Sequence, residues 1–149
     1  MRTYTLDALA GLVGQALGES EAVLVDQARI DAFAAATEDR QWIHVDPARA
    51  AAGPFGATVA HGFLTLALLP VLLESTFAIE GVRMGVNYGL NRVRFPAPVH
   101  AGSRLRGRFR LLAFEAIEGG AQLTVEATIG AEGAAKPACV AEALSRWVV

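Results

Sequence analysis

Apolar residues recur at helical spacing near the start of the chain. Thr5 can cap a helix that ends at Gly18 and whose apolar face comprises Leu9, Leu12, Val13, Ala16 and Leu17. Residues 21–25 then have the pattern of a short strand. These signals predict one helix and one strand in the first 25 residues.

Two capping signals enclose the next informative segment. Asp26 can cap a second helix whose apolar pattern fails near Glu38. Asp46, with proline after it, predicts the start of a short helix over residues 47–52. Residues 39–45 are therefore expected to form a loop fixed by a helix at each end, a place where a rigid scaffold can hold reactive side chains.

Residues 63–77 are apolar almost all the way round a helix. A helix of this kind needs neighbours on several sides, so it is expected to be the long central helix of the fold. Pro70 removes the hydrogen bond to the Leu66 carbonyl and is expected to bend it.

The second half of the chain has the two-residue period of strands. Apolar and polar residues alternate over 121–129, and Gly119-Gly120 before them is a hairpin turn signal. Counting back across that turn pairs Leu112, Phe114 and Ala116 with Ala127, Val125 and Leu123. The alternation flips further upstream, which predicts a β-bulge near residues 110–112.

Further strands are expected around residues 84–95 and 136–149. Helices early and strands late indicate an α+β domain in which a largely antiparallel sheet wraps the central helix. The chain of 149 residues contains no linker-like stretch, so residues 1–149 are interpreted as a single domain.

Composition narrows the possible functions. A hydrophobic content of 53% permits a substantial core, and a net charge of -2 without a long basic block argues against a nucleic-acid partner. The longest apolar run is shorter than a membrane span and is interrupted by Pro70, so no membrane association is expected. The lone Cys139 cannot form an internal disulfide or a multi-thiolate metal site, which suits a reducing, cytoplasmic location.

The residues with chemical potential lie in the predicted loop and just after it. Asp39, Gln41 and His44 fall within six positions, and His61-Gly62 begins seventeen positions after His44. This pattern resembles the family of (R)-specific enoyl-CoA hydratases and MaoC-like dehydratases, which have the hot dog fold. The motif Asp-x-Gln-x-Ile-His is similar to that of the branch that includes nodulation protein N, and the resemblance covers about residues 26 to 110.

The resemblance implies that Asp39 and His44 are the catalytic pair of a hydratase or dehydratase of fatty acid metabolism. It implies an acyl thioester of coenzyme A or acyl carrier protein as substrate, no metal or redox cofactor, and a homodimer. Three positions depart from the common family pattern, with Glu38 in place of glycine, Gln41 of asparagine and Trp42 of proline.

The chemistry of these side chains agrees with the implied reaction. Adding water to a double bond conjugated to a thioester needs one group that takes a proton from water and one that gives a proton to the α-carbon. A carboxylate and an imidazole can do both near neutral pH. The Gln41 amide can orient the water, and the backbone N–H of Gly62 at a helix start can meet the thioester oxygen.

Structural interpretations compete with several of these roles. Gln41 can instead satisfy neighbouring backbone, Gly62 can serve close helix packing, and a structural role is favoured for His61 over that of a general base. Asn87, Tyr88 and Asn91 are candidates for the lining of an acyl pocket. The alternating arginines can grip phosphates, but a solvated strand face is favoured for Arg104, Arg106, Arg108 and Arg110.

Two other functions fit the same fold. One is an acyl-CoA thioesterase, because hot dog folds host both chemistries and the fold does not decide between them. The other is a non-catalytic subunit that binds an acyl thioester or a partner. The presence of both Asp39 and His44 favours hydration over either.

Overall fold

The computed structural model describes residues 1–149 and contains eight strands and six helices. In chain order these are β1 (Arg2–Tyr4), α1 (Leu6–Ala10), β2 (Ala16–Glu19), β3 (Val23–Val25), α2 (Gln27–Thr37), α3 (Trp42–Val45), α4 (Pro47–Ala51), α5 (Gly62–Ala67), α6 (Leu69–Glu74), β4 (Phe77–Ile79), β5 (Met84–Arg94), β6 (Ser103–Ile117), β7 (Gly120–Ala131) and β8 (Cys139–Val148).

Six of the strands form one antiparallel sheet in the order β2-β6-β7-β8-β5, with β3 paired to another part of β6. Strands β1 and β4 form a separate parallel pair. Helices α5 and α6 contribute Leu64, Leu68 and Leu72 to a core that the sheet completes with residues such as Phe109 and Leu123. The α+β arrangement of a sheet around central helical residues is therefore as predicted.

The predicted central helix is present as two consecutive helical segments. The segment forms α5 and α6, which are separated at Leu68, and Pro70 lies in the first turn of α6. Proline supplies no N–H for the Leu66 carbonyl, so the regular hydrogen-bond pattern is interrupted where a bend was expected. Burial is also incomplete, because 71% of Phe63 is exposed while Leu68 and Leu72 are buried.

The prediction of a first helix that extends to Gly18 is wrong. The Thr5 hydroxyl caps α1 by accepting a hydrogen bond from the Ala8 N–H, but the helix ends at Ala10. Strand β2 follows and pairs with β6. Leu9 and Leu17 are both fully buried, so their spacing satisfied a helical pattern although different elements bring them to the core.

The β6–β7 hairpin confirms the predicted bulge but not the predicted register. Its register shifts between Leu111 and Ala113, which leaves Leu112 as the extra residue. Ile117 pairs with Gly120, so the turn consists of residues 118–119, and Phe114 lies opposite Leu123 rather than Val125. Gly119, with φ of 76°, takes the left-handed turn position instead of sharing the turn with Gly120.

Several local predictions are confirmed. Asp26 caps α2 and Asp46 caps α4, each through a carboxylate oxygen that accepts a backbone N–H. Strands β3, β5, β7 and β8 lie where strands were expected, whereas the predicted loop over residues 39–45 contains the short helix α3. None of the helices has the length and hydropathy needed to cross a membrane.

The alternating arginines of β6 form a solvated face, as favoured. Arg104 and Arg106 both lie beside Glu132, while Arg108 pairs with Glu19 and Arg110 with Glu126. Each of these four cations thus has a carboxylate within 4.0 Å.

Candidate active site

Asp39 and His44 lie on the two sides of the connection from α2 to α3. Helix α2 ends at Thr37, and Glu38 takes the left-handed conformation, with φ of 65°, that turns the chain out of the helix. Asp39 follows this turn and is exposed. His44 is carried by α3 and is 7% exposed.

The fold brings three titratable side chains together. One carboxylate oxygen of Asp39 and one ring nitrogen each of His44 and His61 all lie within 4.8 Å of one another. The carboxylate faces solvent while the two imidazoles are buried. The predicted Asp39–His44 pair is therefore adjacent in space, and His61, for which a structural role was favoured, joins it.

The tautomer of His44 follows from its hydrogen bond. Its Nδ1 lies 2.6 Å from the carbonyl oxygen of Val59. A carbonyl oxygen can only accept, so Nδ1 carries the hydrogen and Nε2 of the neutral ring keeps its lone pair. The Val59 N–H also donates to the Ile43 carbonyl at 3.0 Å, so Val59 binds α3 through both of its backbone groups.

Residues 58–61, hereafter the clamp segment, are themselves fixed to the sheet side of the fold. The Ala60 N–H donates to the Val99 carbonyl at 2.8 Å, and the Ala101 N–H donates to the Thr58 carbonyl at 2.9 Å. Val59 forms an isolated β-bridge with His100. The clamp segment thus joins the residues around His44 to the chain that leads into β6.

Gln27 connects the same parts from the side of α2. Its Nε2 donates to the His44 carbonyl at 2.7 Å, and its Oε1 accepts from the Thr58 hydroxyl. Gln27, Thr58 and Val59 are not among the residues predicted from the sequence. The only local signal was that Gln27 is the first residue of a capped helix, and their partners lie 15 to 31 positions away.

His61 contacts both members of the predicted pair. Its Nε2 donates to the Asp39 backbone carbonyl at 2.8 Å, and its ring stacks on the His44 ring with centroids 3.7 Å apart and planes 23° apart. Its Nδ1 is buried without a hydrogen-bond partner. His61 therefore donates a hydrogen bond to a backbone carbonyl, as a structural residue would, but that carbonyl belongs to Asp39.

Gln41 and Gly62 lie next to this cluster in the chain. Gln41 is exposed at the N-cap position of α3, and its side chain makes no capping hydrogen bond. Gly62 is the first residue of α5, and its N–H has no backbone acceptor. A Cβ on Gly62 would lie 3.0 Å from the Phe95 ring, so the glycine also permits close packing.

An open cavity of about 600 Å³ lies between α5–α6 and the strands β5 and β8. Eleven of its 17 lining residues are hydrophobic, and Leu66 on its wall is one helical turn beyond Gly62. Asn87 and Tyr88 line it as suggested, whereas Asn91 does not. The Arg146 guanidinium lies 3.5 Å from the centre of the Tyr88 ring and fixes that wall.

The Asp39, His44 and His61 side chains offer three potential metal ligands, but the geometry is unsuitable. One nitrogen of each imidazole already bonds to a carbonyl, and the stacked rings lie in nearly parallel planes. Lone pairs in parallel planes do not converge on one ion, as tetrahedral coordination requires. The expectation of a reaction without metal or redox cofactor stays a prediction.

Cys139 is unsuited to be a nucleophile. It is fully buried, and this burial raises the pKa of its thiol to about 11. The thiol is therefore protonated near neutral pH, whereas nucleophilic attack needs the thiolate.

The chain is similar to known proteins of the family that its site residues resemble. Residues 9–134 match the model of the MaoC like domain. The chain is 53% identical to 3-hydroxyacyl-thioester dehydratase Z of Mycobacterium tuberculosis in an alignment of 150 positions that covers 99% of each chain. It is 48% identical to nodulation protein N of Rhizobium leguminosarum bv. viciae, covering 95% of this chain and 89% of the relative.

A solved structure, that of an (R)-hydratase from A. caviae, superimposes with a TM-score of 0.72 at 27% identity. The match covers 89% of this chain and 94% of the hydratase.

Proposed function

We propose that Asp39 and His44 are the catalytic pair of this chain, which belongs to the MaoC-like domain family and is a hydro-lyase of acyl thioesters with the hot dog fold. The reaction is the reversible addition of water to an enoyl thioester to give an (R)-3-hydroxyacyl thioester. The observation that carries the proposal is the meeting of carboxylate and imidazole atoms within 4.8 Å.

The tautomer of His44 supports a role as proton acceptor in hydration, because Nε2 has a free lone pair. In hydration its Nε2 accepts a proton from water while the water oxygen bonds to the β-carbon. The pair returns one proton to the α-carbon, so the enzyme is unchanged after each turnover. Asp39, exposed beside the buried imidazole, holds the second hydrogen of the water and balances the charge that forms on His44.

Gly62 supplies the donor for the thioester oxygen in this proposal. Negative charge grows on that oxygen in the transition state, and the Gly62 N–H has no competing backbone acceptor. Gln41, exposed between Asp39 and His44 in the sequence, orients the water or the thioester. Both assignments are consistent with the position of Gly62 at the start of α5 and of Gln41 at the start of α3.

The cavity beside β5 supports an acyl substrate. Its apolar wall starts one helical turn after Gly62, so a thioester bound at Gly62 can extend its hydrocarbon chain along Leu66 and Leu73 towards Trp147. The carrier, coenzyme A or acyl carrier protein, stays outside as the hydrophilic end of the substrate. We infer from this substrate class that the reaction belongs to fatty acid metabolism.

We further infer a homodimer in the cytoplasm. Strand β5 is at the end of the sheet and pairs only with β8, yet Met84, Val86, Tyr88 and Leu90 on it are 44–55% exposed. An apolar sheet edge invites pairing with another strand, here the β5 of a second copy. The single unpaired Cys139 suits a reducing compartment.

Crotonyl-CoA tests the proposed function. Wild type is expected to consume the enoyl absorbance without releasing free thiol. Asp39→Asn, and His44→Asn, which keeps a donor for the Val59 carbonyl but loses the Nε2 lone pair, are each expected to lower kcat by about 10²–10⁴-fold. Asp46→Asn is the matched control, because asparagine caps α4 as aspartate does.

Other outcomes assign the alternatives. Release of thiol with the enoyl absorbance retained would indicate a thioesterase. Tight binding of crotonyl-CoA without turnover, unchanged in Asp39→Asn, would indicate a non-catalytic binding subunit. Wild-type rates in both Asp39→Asn and His44→Asn would refute the catalytic pair.

A further inference from the structure

We propose that His61 is a positioning residue that couples Asp39 to His44, acting as a neutral imidazole with its hydrogen on Nε2. The His61 hydrogen bond holds the Asp39 backbone, and the His61 ring holds the plane of the His44 ring. The inference rests on the proposed function, since it assumes that Asp39 and His44 are the catalytic pair.

The tautomer is set by the partner of each ring nitrogen. The Asp39 carbonyl can only accept, so Nε2 of His61 is the protonated nitrogen. Nδ1 is buried and has no acceptor, so a second hydrogen there would be an unpaired buried donor that carries charge. That charge would also lie 3.7 Å from the His44 ring, which itself takes up a proton in the reaction.

The Asp39 backbone depends on His61 because its other hydrogen bonds are short-range. The Asp39 N–H is 3.4 Å from the Thr37 hydroxyl, the Arg40 N–H bonds to the Glu38 carbonyl, and the Gln41 N–H is 3.4 Å from the Asp39 carboxylate. All of these stay within two residues. The bond from His61 spans 22 positions and is the one that fixes this exposed turn to the clamp segment.

The His44 ring gains a second restraint from the stack. Its hydrogen bond to the Val59 carbonyl fixes one ring atom but leaves the ring free to tilt about that bond. The face of His61, stacked at 23°, removes this freedom and so directs Nε2. Phe33 packs on His61 with ring centroids 4.9 Å apart and keeps the stack in place.

The unpaired Nδ1 argues that the imidazole is present for its hydrogen bond. A buried acceptor without a partner is unfavourable, and a phenyl ring would fill a similar space without one. What a phenyl ring cannot supply is the donor to Asp39. Phenylalanine and glutamine at this position therefore separate the stacking role from the hydrogen-bonding role.

Two substitutions test the inference. His61→Phe keeps a flat ring against His44 but removes the donor, whereas His61→Gln places an amide nitrogen at the position of Nε2. We expect His61→Phe to lower kcat on crotonyl-CoA by about 10²-fold with little change in KM, because misplacing a catalytic group costs about that much. His61→Gln should recover at least about tenfold of this loss.

A merely structural His61 gives a different result. In that case the substitutions change thermal stability, but folded His61→Phe keeps the wild-type kcat or loses rate through KM alone. The kcat of His61→Gln is then no higher than that of His61→Phe. Either of these outcomes overturns the inference. The comparison is made against active wild type, so a wild type that does not hydrate crotonyl-CoA refutes the proposed function instead.

Nitrogen NMR of the imidazole rings gives a readout that needs no turnover. His61 in the wild-type protein is expected to show a protonated Nε2 and an unprotonated Nδ1 near neutral pH. Protonation at Nδ1, alone or together with Nε2, overturns the inference whatever the activity measurements show.

Discussion

Glu38 is the only residue other than glycine that adopts a positive φ, at the point where α2 ends before Asp39. A side chain in this conformation costs about 1–2 kcal/mol, and glycine, which the common family pattern has here, avoids it. Part of that gain is offset because glycine also raises the entropy of the unfolded chain.

Glu38→Gly is therefore expected to raise the free energy of unfolding by about 0.5–1 kcal/mol. Urea denaturation at an unchanged m-value measures it. Glu115→Gly in β6 is the control and should destabilise, because glycine weakens a strand interior. A Glu38→Gly protein less stable than wild type would show that the Glu38 side chain has stabilising contacts.

Gln27 is a second residue whose effect can be predicted. Its side chain joins α2, the His44 carbonyl and Thr58, so Gln27→Ala leaves polar groups of α3 and of the clamp segment without partners. We expect a loss of about 1–3 kcal/mol in the free energy of unfolding and a lower kcat. Gln15→Ala, whose amide contacts only the Gly11 carbonyl at 3.5 Å, should be nearly neutral in both measurements.

Among the elements, local signals predicted where helices begin better than they predicted where helices end or which strands pair. Thr5, Asp26 and Asp46 cap the helices that they were predicted to cap, because a cap acts within three residues. The extent of α1 and the register of β6 against β7 were predicted wrongly. Both depend on partners across the sheet, which the helical period and a diglycine turn signal do not specify.

The two glycines of the β6–β7 hairpin give a test at this scale. Gly120 lies in β7, and a Cβ there would overlap the Trp147 carbonyl oxygen of β8. Gly120→Ala is expected to lower the free energy of unfolding by about 1–3 kcal/mol, since backbone must move.

Gly119→Asn is the matched control. Gly119 has a positive φ and open space around it, and asparagine tolerates that conformation, so calorimetry should show little change. If Gly119 proved to be the sensitive position, the turn would be centred on residues 119–120 as the sequence alone suggested.

At the scale of the whole molecule, the exposed apolar edge of β5 predicts self-association. A lysine at Val86 adds charge to this edge, a device that blocks pairing between sheets. Val86→Lys is therefore expected to shift the protein from dimer to monomer in sedimentation velocity.

Leu24→Lys is the control for this substitution, because Leu24 is similarly exposed but lies on β3, at the opposite side of the sheet. It should leave the dimer intact. A monomeric wild type, or equal effects of the two lysines, would contradict the assignment of β5 as the dimer edge.

The sequence alone determined the α+β class, the single cysteine, the capped helices, the bulge in β6 and the two residues, Asp39 and His44, on which the proposed chemistry depends. These features are encoded by neighbouring residues or by a short pattern. Three features are visible only in the folded protein: the central helix divides at Leu68, Gly120 belongs to a strand, and Gln27, Val59 and His61 hold the pair in place. These features depend on contacts between residues that are far apart in the chain. Such contacts form only when the sheet and the helices pack together.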